Sequence, residues 1–115
     1  MQVQAITKNV NMSAQKMREV VRQIQGLPAL RAQAVLAVVP RKSARVVAKT
    51  LKSAIANAED QARYQKVNLN PENLRVQSAV AGTAMTMKRF TPKARGSAGP
   101  ILKRSCHIKI ILSDE

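Results

Sequence analysis

An α+β fold is predicted by three observations in this 115-residue chain. Residues 2–10 and residues from Leu74 onward read as strand, whereas residues 14–58 carry helical periodicity. Two late strand-like segments, Leu74 to about Lys88 and Ile101–Leu112, flank a basic stretch that carries no acid. The expected architecture is a small three-stranded antiparallel sheet with three helices, plus a long protruding β-hairpin over about residues 76–112, its tip at 87–103. All of it is expected within one domain, residues 1–115.

The first strand candidate has Val3, Ala5 and Val10 as its apolar members. Ser13 is the best N-cap for the first helix. Met17, Val20, Val21 and Ile24 then fall on one helical face, with Arg18, Glu19, Arg22 and Gln25 largely away from it. Gly26 closes that helix and Pro28 prevents its continuation. A second helix fits residues 29–38, with Leu30, Ala34, Val35 and Val38 inward.

Pro40 marks the next boundary, and the longest periodic run starts at Arg41. Ala44, Val47, Ala48, Leu51, Ala54, Ile55 and Ala58 cover an arc of roughly 120°. Arg41, Lys42, Arg45, Lys49 and Lys52 occupy an adjacent arc of roughly 100°. Glu59 and Asp60 come at the end of this run, where the helix dipole gives acids no support. Residues 63–73 read as a connector broken at Pro71, with Val67 and Leu69 as a short extended piece. In the last segment Cys106, Ile108, Ile110 and Leu112 alternate with Ser105, His107, Lys109 and Ile111.

Charge dominates the composition. The 20 Lys and Arg against 6 acids leave a formal charge of +14. Repulsion on that scale disfavours a compact state unless a polyanion neutralises it. Nucleic acid is the first partner class and an anionic membrane surface the second. One cysteine excludes an internal disulfide and is compatible with a reducing compartment. The N-terminus lacks the apolar core of a signal peptide and no run approaches a membrane span, so a soluble intracellular protein is expected.

The stretch MKRFTPKARGSAGPILKR, residues 87–104, holds six cations: Lys88, Arg89, Lys93, Arg95, Lys103 and Arg104. The two strand-like segments around it pair as one antiparallel hairpin. A paired arm of about 12 residues is roughly 40 Å long, too long to lie over the core of so small a body. Arg spans two phosphate oxygens and Lys acts as a mobile point charge. Gly96 and Gly99 admit close backbone approach. Phe90 is placed to stack on a base or wedge into a crevice. A solvated basic loop is the alternative for this stretch, and an ordinary solvated face is the alternative for the cations of the third helix.

Catalysis finds little support. Cys106 and His107 are adjacent in a strand and so point to opposite faces, which prevents a Cys–His pair. Neither metal-ligand spacing nor a phosphate-binding glycine signature occurs, and no cofactor is expected. A zinc finger is excluded by cysteine count, and an RNA-recognition sheet by the missing aromatic pair. Shape and phosphate recognition of a folded RNA remains.

Three ordered motifs then carry a resemblance. Lys88…Lys93-Ala94-Arg95-Gly96-Ser97 with His107-Ile108-Lys109-Ile110-Ile111 is similar to the signature of the bacterial-type large-subunit ribosomal protein L22 (uL22) family. Lys42-Ser43-Ala44-Arg45…Ala48-Lys49-Thr50-Leu51-Lys52-Ser53-Ala54…Ala56-Asn57-Ala58-Glu59 resembles that family's long third helix. Met12-Ser13…Lys16…Arg18-Glu19-Val20-Val21…Ile24…Gly26 resembles its opening helix. The match runs from about residue 5 to 113.

The resemblance implies helices packed on a small antiparallel sheet and a hairpin reaching into the large ribosomal subunit. It implies a structural constituent of the large subunit, cytoplasmic with an organellar ribosome as the alternative location, that binds 23S rRNA, supports assembly and lines the nascent-polypeptide exit tunnel. Neighbouring ribosomal proteins and, transiently, the nascent chain are implied partners, without membrane insertion. The expected RNA-binding residues are Lys16, Arg18, Arg41, Lys42, Arg45, Lys49, Lys52, Lys88, Arg89, Lys93, Arg95, Lys103, Arg104, His107 and Lys109. The expected tunnel-lining tip is Phe90, Pro92, Lys93, Ala94, Arg95 and Gly96. A free-standing nucleic-acid-binding or RNA-chaperone-like regulator is the alternative function.

Overall fold

The computed structural model describes residues 2–66, 71–92, 94–96 and 98–114. Strand β1 (Gln2–Val10) leads to helices α1 (Ala14–Ile24), α2 (Ala29–Val38) and α3 (Lys42–Gln65). A single 3-10 turn at Pro71–Asn73 precedes β2 (Arg75–Thr83), β3 (Met87–Pro92), β4 (Ala98–Lys103) and β5 (Cys106–Ser113). The last strand lies at the centre of an antiparallel sheet of order β1-β5-β2, while β3 and β4 form a separate two-stranded ribbon. The α+β architecture with three helices and a protruding hairpin is therefore observed.

The core follows from period. Cys106, Ile108, Ile110 and Leu112 point to the helical side of β5 and are fully buried. They meet Met17, Val20 and Ile24 of α1 and Val47, Leu51 and Ala54 of α3, all equally buried. Ser13 caps α1 as expected, its Oγ accepting from the Lys16 amide at 3.4 Å. Gly26 stands at φ 79°, a left-handed conformation in which a side chain would be strained.

Two helices depart from the sequence reading. Helix α2 buries Ala29, Ala32 and Leu36, rather than Leu30, Ala34, Val35 and Val38. Leu30 is 46% and Val38 is 78% exposed. The segment ALRAQAVLAV is apolar on nearly every side, so contact with α3, not periodicity, selects its inner face. Helix α3 continues to Gln65 and ends at Lys66, whose left-handed backbone lets its amide reach Ala62 O and Arg63 O. Arg63 and Tyr64 thus belong to the helix, not to a connector. Glu59 and Asp60 sit more than a turn inside it, away from the carbonyl end that disfavours acids. Val67 and Leu69 lie outside the described residues.

The free edge of β2 is closed by donors from α1, the loop after it and the first residue of α2. Arg18 Nε donates to Ala81 O at 3.1 Å, and the Gln25 side-chain amide donates to Ala79 O. The Gly26 amide bonds Val76 O and the Ala29 amide bonds Leu74 O, both at 2.9 Å. Three β2 carbonyls that would invite another strand, and that of Leu74 just before it, are thereby occupied. On the other edge, Asn57 Nδ2 of α3 donates to Gln4 O at 3.1 Å.

The two limbs of the hairpin are not continuous strands, as the sequence had implied. The β2–β5 ladder ends at Thr83↔Cys106 and the β3–β4 ladder begins at Met87↔Lys103. Residues 84–86 therefore oppose residues 104–105, one residue too many on the outgoing limb. Such an insertion twists and bends a ribbon. The joint retains Ala84 N to Ser105 O at 3.1 Å and Ser105 Oγ to Met85 O at 2.6 Å. Beyond it the ribbon stretches the molecule to 67 × 27 × 16 Å. The radius of gyration is 17.6 Å, against about 13 Å for a compact chain of this length.

Candidate nucleic-acid interface

The ribbon presents its charges because, among the described residues, its two strands pack mainly on each other. In an antiparallel pair, residues directly opposite share a face. Met87, Arg89 and Lys103 take one face, and Lys88, Phe90 and Leu102 the other. All six are exposed, Phe90 to 72%. Arg89 is steadied by its neighbours, donating to Lys88 O at 3.1 Å and approaching Met87 Sδ at 3.6 Å. Between Pro92 and Ala98, the last paired residues, the chain reverses through Arg95 at φ 63° and Gly96 at φ 74°. Two consecutive left-handed residues make the reversal tight, and Arg95 is exposed at its end. Ala94 lies in the same turn, whereas Lys93 lies outside the described residues.

Where ribbon meets body, three distant segments converge. One groove, about 790 Å³, is lined by the α1 cap Ser13, Lys16 and Glu19 of α1, Arg41, Lys42 and Ser43 at the start of α3, and Leu102 and Arg104 of the returning limb. A second, about 680 Å³, runs along the ribbon root past Asn9, Met85, Arg89, Lys103 and Ser105. The two share Asn11, Leu102 and Arg104 and form one trough. Glu19 is the acid of the first groove, and it forms an ion pair with Arg41. Helices α1 and α3 both start here, so their positive dipole ends add to the cationic field.

Other predicted residues are placed apart from this trough. Arg45, Lys49 and Lys52 continue along the exposed side of α3 without a carboxylate partner among the described residues. Arg18 is exposed, but its Nε is committed to the β2 edge. His107 and Lys109 lie on the open face of the sheet. His107 Nδ1 accepts from the Asn9 amide at 3.1 Å, so the imidazole is tied to the bulge where Asn9 adopts φ 58°. Lys109 sits between Ile6 and Val80 in its sheet row. The sequence reading missed Asn9, Asn11 and the Glu19–Arg41 pair as groove components. The paired asparagines before α1 were the available signal.

Cys106 faces the core with its thiol pushed above the ordinary thiol range by burial. His107 points the other way, as strand alternation requires. Among the described residues no group of His, Cys, Asp and Glu is arranged to hold a metal ion. No helix among them is long and apolar enough to cross a membrane. Fold and charge together define a nucleic-acid-binding module with a projecting cationic ribbon.

Comparison with known proteins gives the particular family. The family described as Ribosomal protein L22p/L17e matches residues 5–113. The chain is 48% identical over 114 residues to the large ribosomal subunit protein uL22 of Opitutus terrae, covering 99% of this chain and 96% of that one. Against the uL22 proteins of Akkermansia muciniphila and Methylacidiphilum infernorum the identity is 44% over 115 residues, covering all of this chain and 98% and 96% of theirs. The chain belongs to the ribosomal protein L22p/L17e family. It is thus a ribosomal, rRNA-binding protein of the translation apparatus, structural and not catalytic.

Proposed function

We propose that the chain is a cytoplasmic constituent of the large ribosomal subunit that binds 23S rRNA, supports subunit assembly and lines the nascent-polypeptide exit tunnel with its ribbon. The trough, the α3 cations and the ribbon cations neutralise RNA phosphates. The tip, from Phe90 and Pro92 through Lys93, Ala94, Arg95 and Gly96, forms part of the tunnel wall and touches the nascent chain in passing. Neighbouring ribosomal proteins meet the helical body, where Leu30 and Val38 supply exposed apolar surface.

One observation carries this reading. The ribbon extends the molecule to 67 Å with exposed Lys88, Arg89, Phe90 and Lys103 and no core of its own. Two isolated strands are marginal in water, and concentrated like charge weakens them further. Such an arm makes physical sense when embedded in a large polyanion.

Subunit fractionation combined with a photo-crosslinker at position 90 tests it. Stoichiometric recovery in salt-washed large subunits, with crosslinks from the tip to stalled nascent peptides, is expected. Recovery confined to the ribosome-free fraction would defeat the ribosomal placement and favour a free-standing regulator. Incorporation without nascent-chain crosslinks would defeat the tunnel assignment alone.

A further inference from the structure

Arm and body face each other across the trough with the same sign of charge. On the body side stand Lys16, Arg41 and Lys42, and on the arm side Arg104. The adjoining root adds Arg89 and Lys103. Arg41 is neutralised by Glu19. Lys16, Lys42 and Arg104 have no carboxylate partner among the described residues. In the free protein these charges therefore repel one another across the joint.

Little opposes that repulsion. The ladder is interrupted between Thr83↔Cys106 and Met87↔Lys103, and residues 84–86 carry one residue more than 104–105 opposite, an insertion of the kind that weakens pairing and bends a ribbon. Ala84 N to Ser105 O and Ser105 Oγ to Met85 O hold it. Each of these two bonds adds little net stability, because water competes for the same groups. A few like charges a short distance apart in water are of the same order. The direction of the arm is thus balanced between small opposing effects.

Resting on the RNA-binding reading above, we infer that the trough seats one RNA backbone strand that bridges arm and body, and that seating it sets the arm's direction. A phosphate chain between Lys16, Lys42 and Arg104 turns cross-joint repulsion into attraction from both sides. The start of α1 and the start of α3 add their dipoles to the same strand. The groove of about 790 Å³ leaves room for a stretch of phosphate backbone between its two cationic sides. Glu19 acts as the internal competitor, because it occupies Arg41 until phosphate displaces it.

The test uses the full chain with spin labels at Arg31→Cys on α2 and Thr91→Cys on the arm, Cys106 being buried. Arm–body distance distributions are recorded without RNA and with a large-subunit rRNA transcript. In the otherwise native chain the distribution is broad alone and narrows on binding. In Lys16→Ala/Lys42→Ala/Arg104→Ala the transcript still binds through the remaining cations, with a log K–log salt slope shallower by about two to three, but the distribution stays broad. In Arg45→Ala/Lys49→Ala/Lys52→Ala the slope falls by a similar amount and the narrowing persists. Glu19→Gln raises affinity.

Equal narrowing in the Lys16, Lys42, Arg104 variant, a distribution already narrow without RNA, or a loss of affinity in Glu19→Gln would overturn the inference while leaving RNA binding intact. No binding of the transcript by the native chain would remove the RNA reading itself, and this inference with it.

Discussion

Strands β4 and β5 are separated by two residues, yet Ile108 and Ile110 of β5 are fully buried while Leu102 of β4 is 45% exposed. Both strands pair with one limb of the same hairpin. The difference is what lies on the third side. Strand β5 has strands on both edges and helices α1 and α3 over one face, whereas β4 has a single partner strand. The body is held by burial of apolar area, which needs no partner and is not screened by salt as charge–charge attraction is. The ribbon lacks that term, so its order depends on what surrounds it. One chain therefore contains a self-sufficient region and a dependent one.

That contrast can be broken first in the core. Leu51→Asp places an unpaired charge at a fully buried position of α3, and should destabilise the body by about 4 kcal/mol or more. Phe90→Asp, the same insertion in the ribbon, should leave the melting midpoint unchanged. Thermal melting followed by circular dichroism checks both, and equal losses would erase the distinction between regions. Next in size is the replacement of Lys88, Arg89, Lys93 and Arg95 together by Ala. The log K–log salt slope for rRNA should become shallower by about three to four, with the melting midpoint held. An unchanged slope would show that the arm's cations do not meet phosphate.

A smaller effect sharpens where the body ends. Arg18→Ala and Gln25→Ala remove donors to Ala81 O and Ala79 O, for about 1 kcal/mol each in urea unfolding. Together they open the β2 edge, so sedimentation should reveal self-association. A double variant that stayed monomeric would mean the edge is protected otherwise. The smallest perturbation concerns Cys106. Its pKa is raised by burial, so the unreactive thiol is favoured throughout the neutral range and a thiol reagent should modify it only after unfolding. The protection is kept as pH rises until the raised pKa is approached. Rapid modification of the native chain at pH 7.5 would show that the β5 core opens locally.

Much of the body was legible because it follows strong periods. The face Met17, Val20, Val21, Ile24 and the alternation Cys106, Ile108, Ile110, Leu112 are both buried as their spacing implied. Ser13 and Gly26 act as the start and stop of α1 because their local chemistry permits little else. Helix α2 was misread because ALRAQAVLAV has apolar residues all round and thus no preferred direction of its own. The arm's cations were legible as charge, while Arg18 and His107 turned out to be partly engaged within the fold. Both are polar residues whose nearest partners lie far away in sequence, and no local pattern announces such a bond.

The amino-acid order alone determined where most elements start, the excess of positive charge and the inability of residues 87–104 to make a core. These are properties of short stretches, set by period, capping chemistry and composition. The tertiary structure alone decided the side of α2 that is buried, the sealing of the β2 edge, the break in the ladder at residues 84–86 and the trough that joins Lys16, Lys42 and Arg104. Each of those depends on segments dozens of residues apart being brought within a few ångströms, and packing, not local preference, fixes which groups meet.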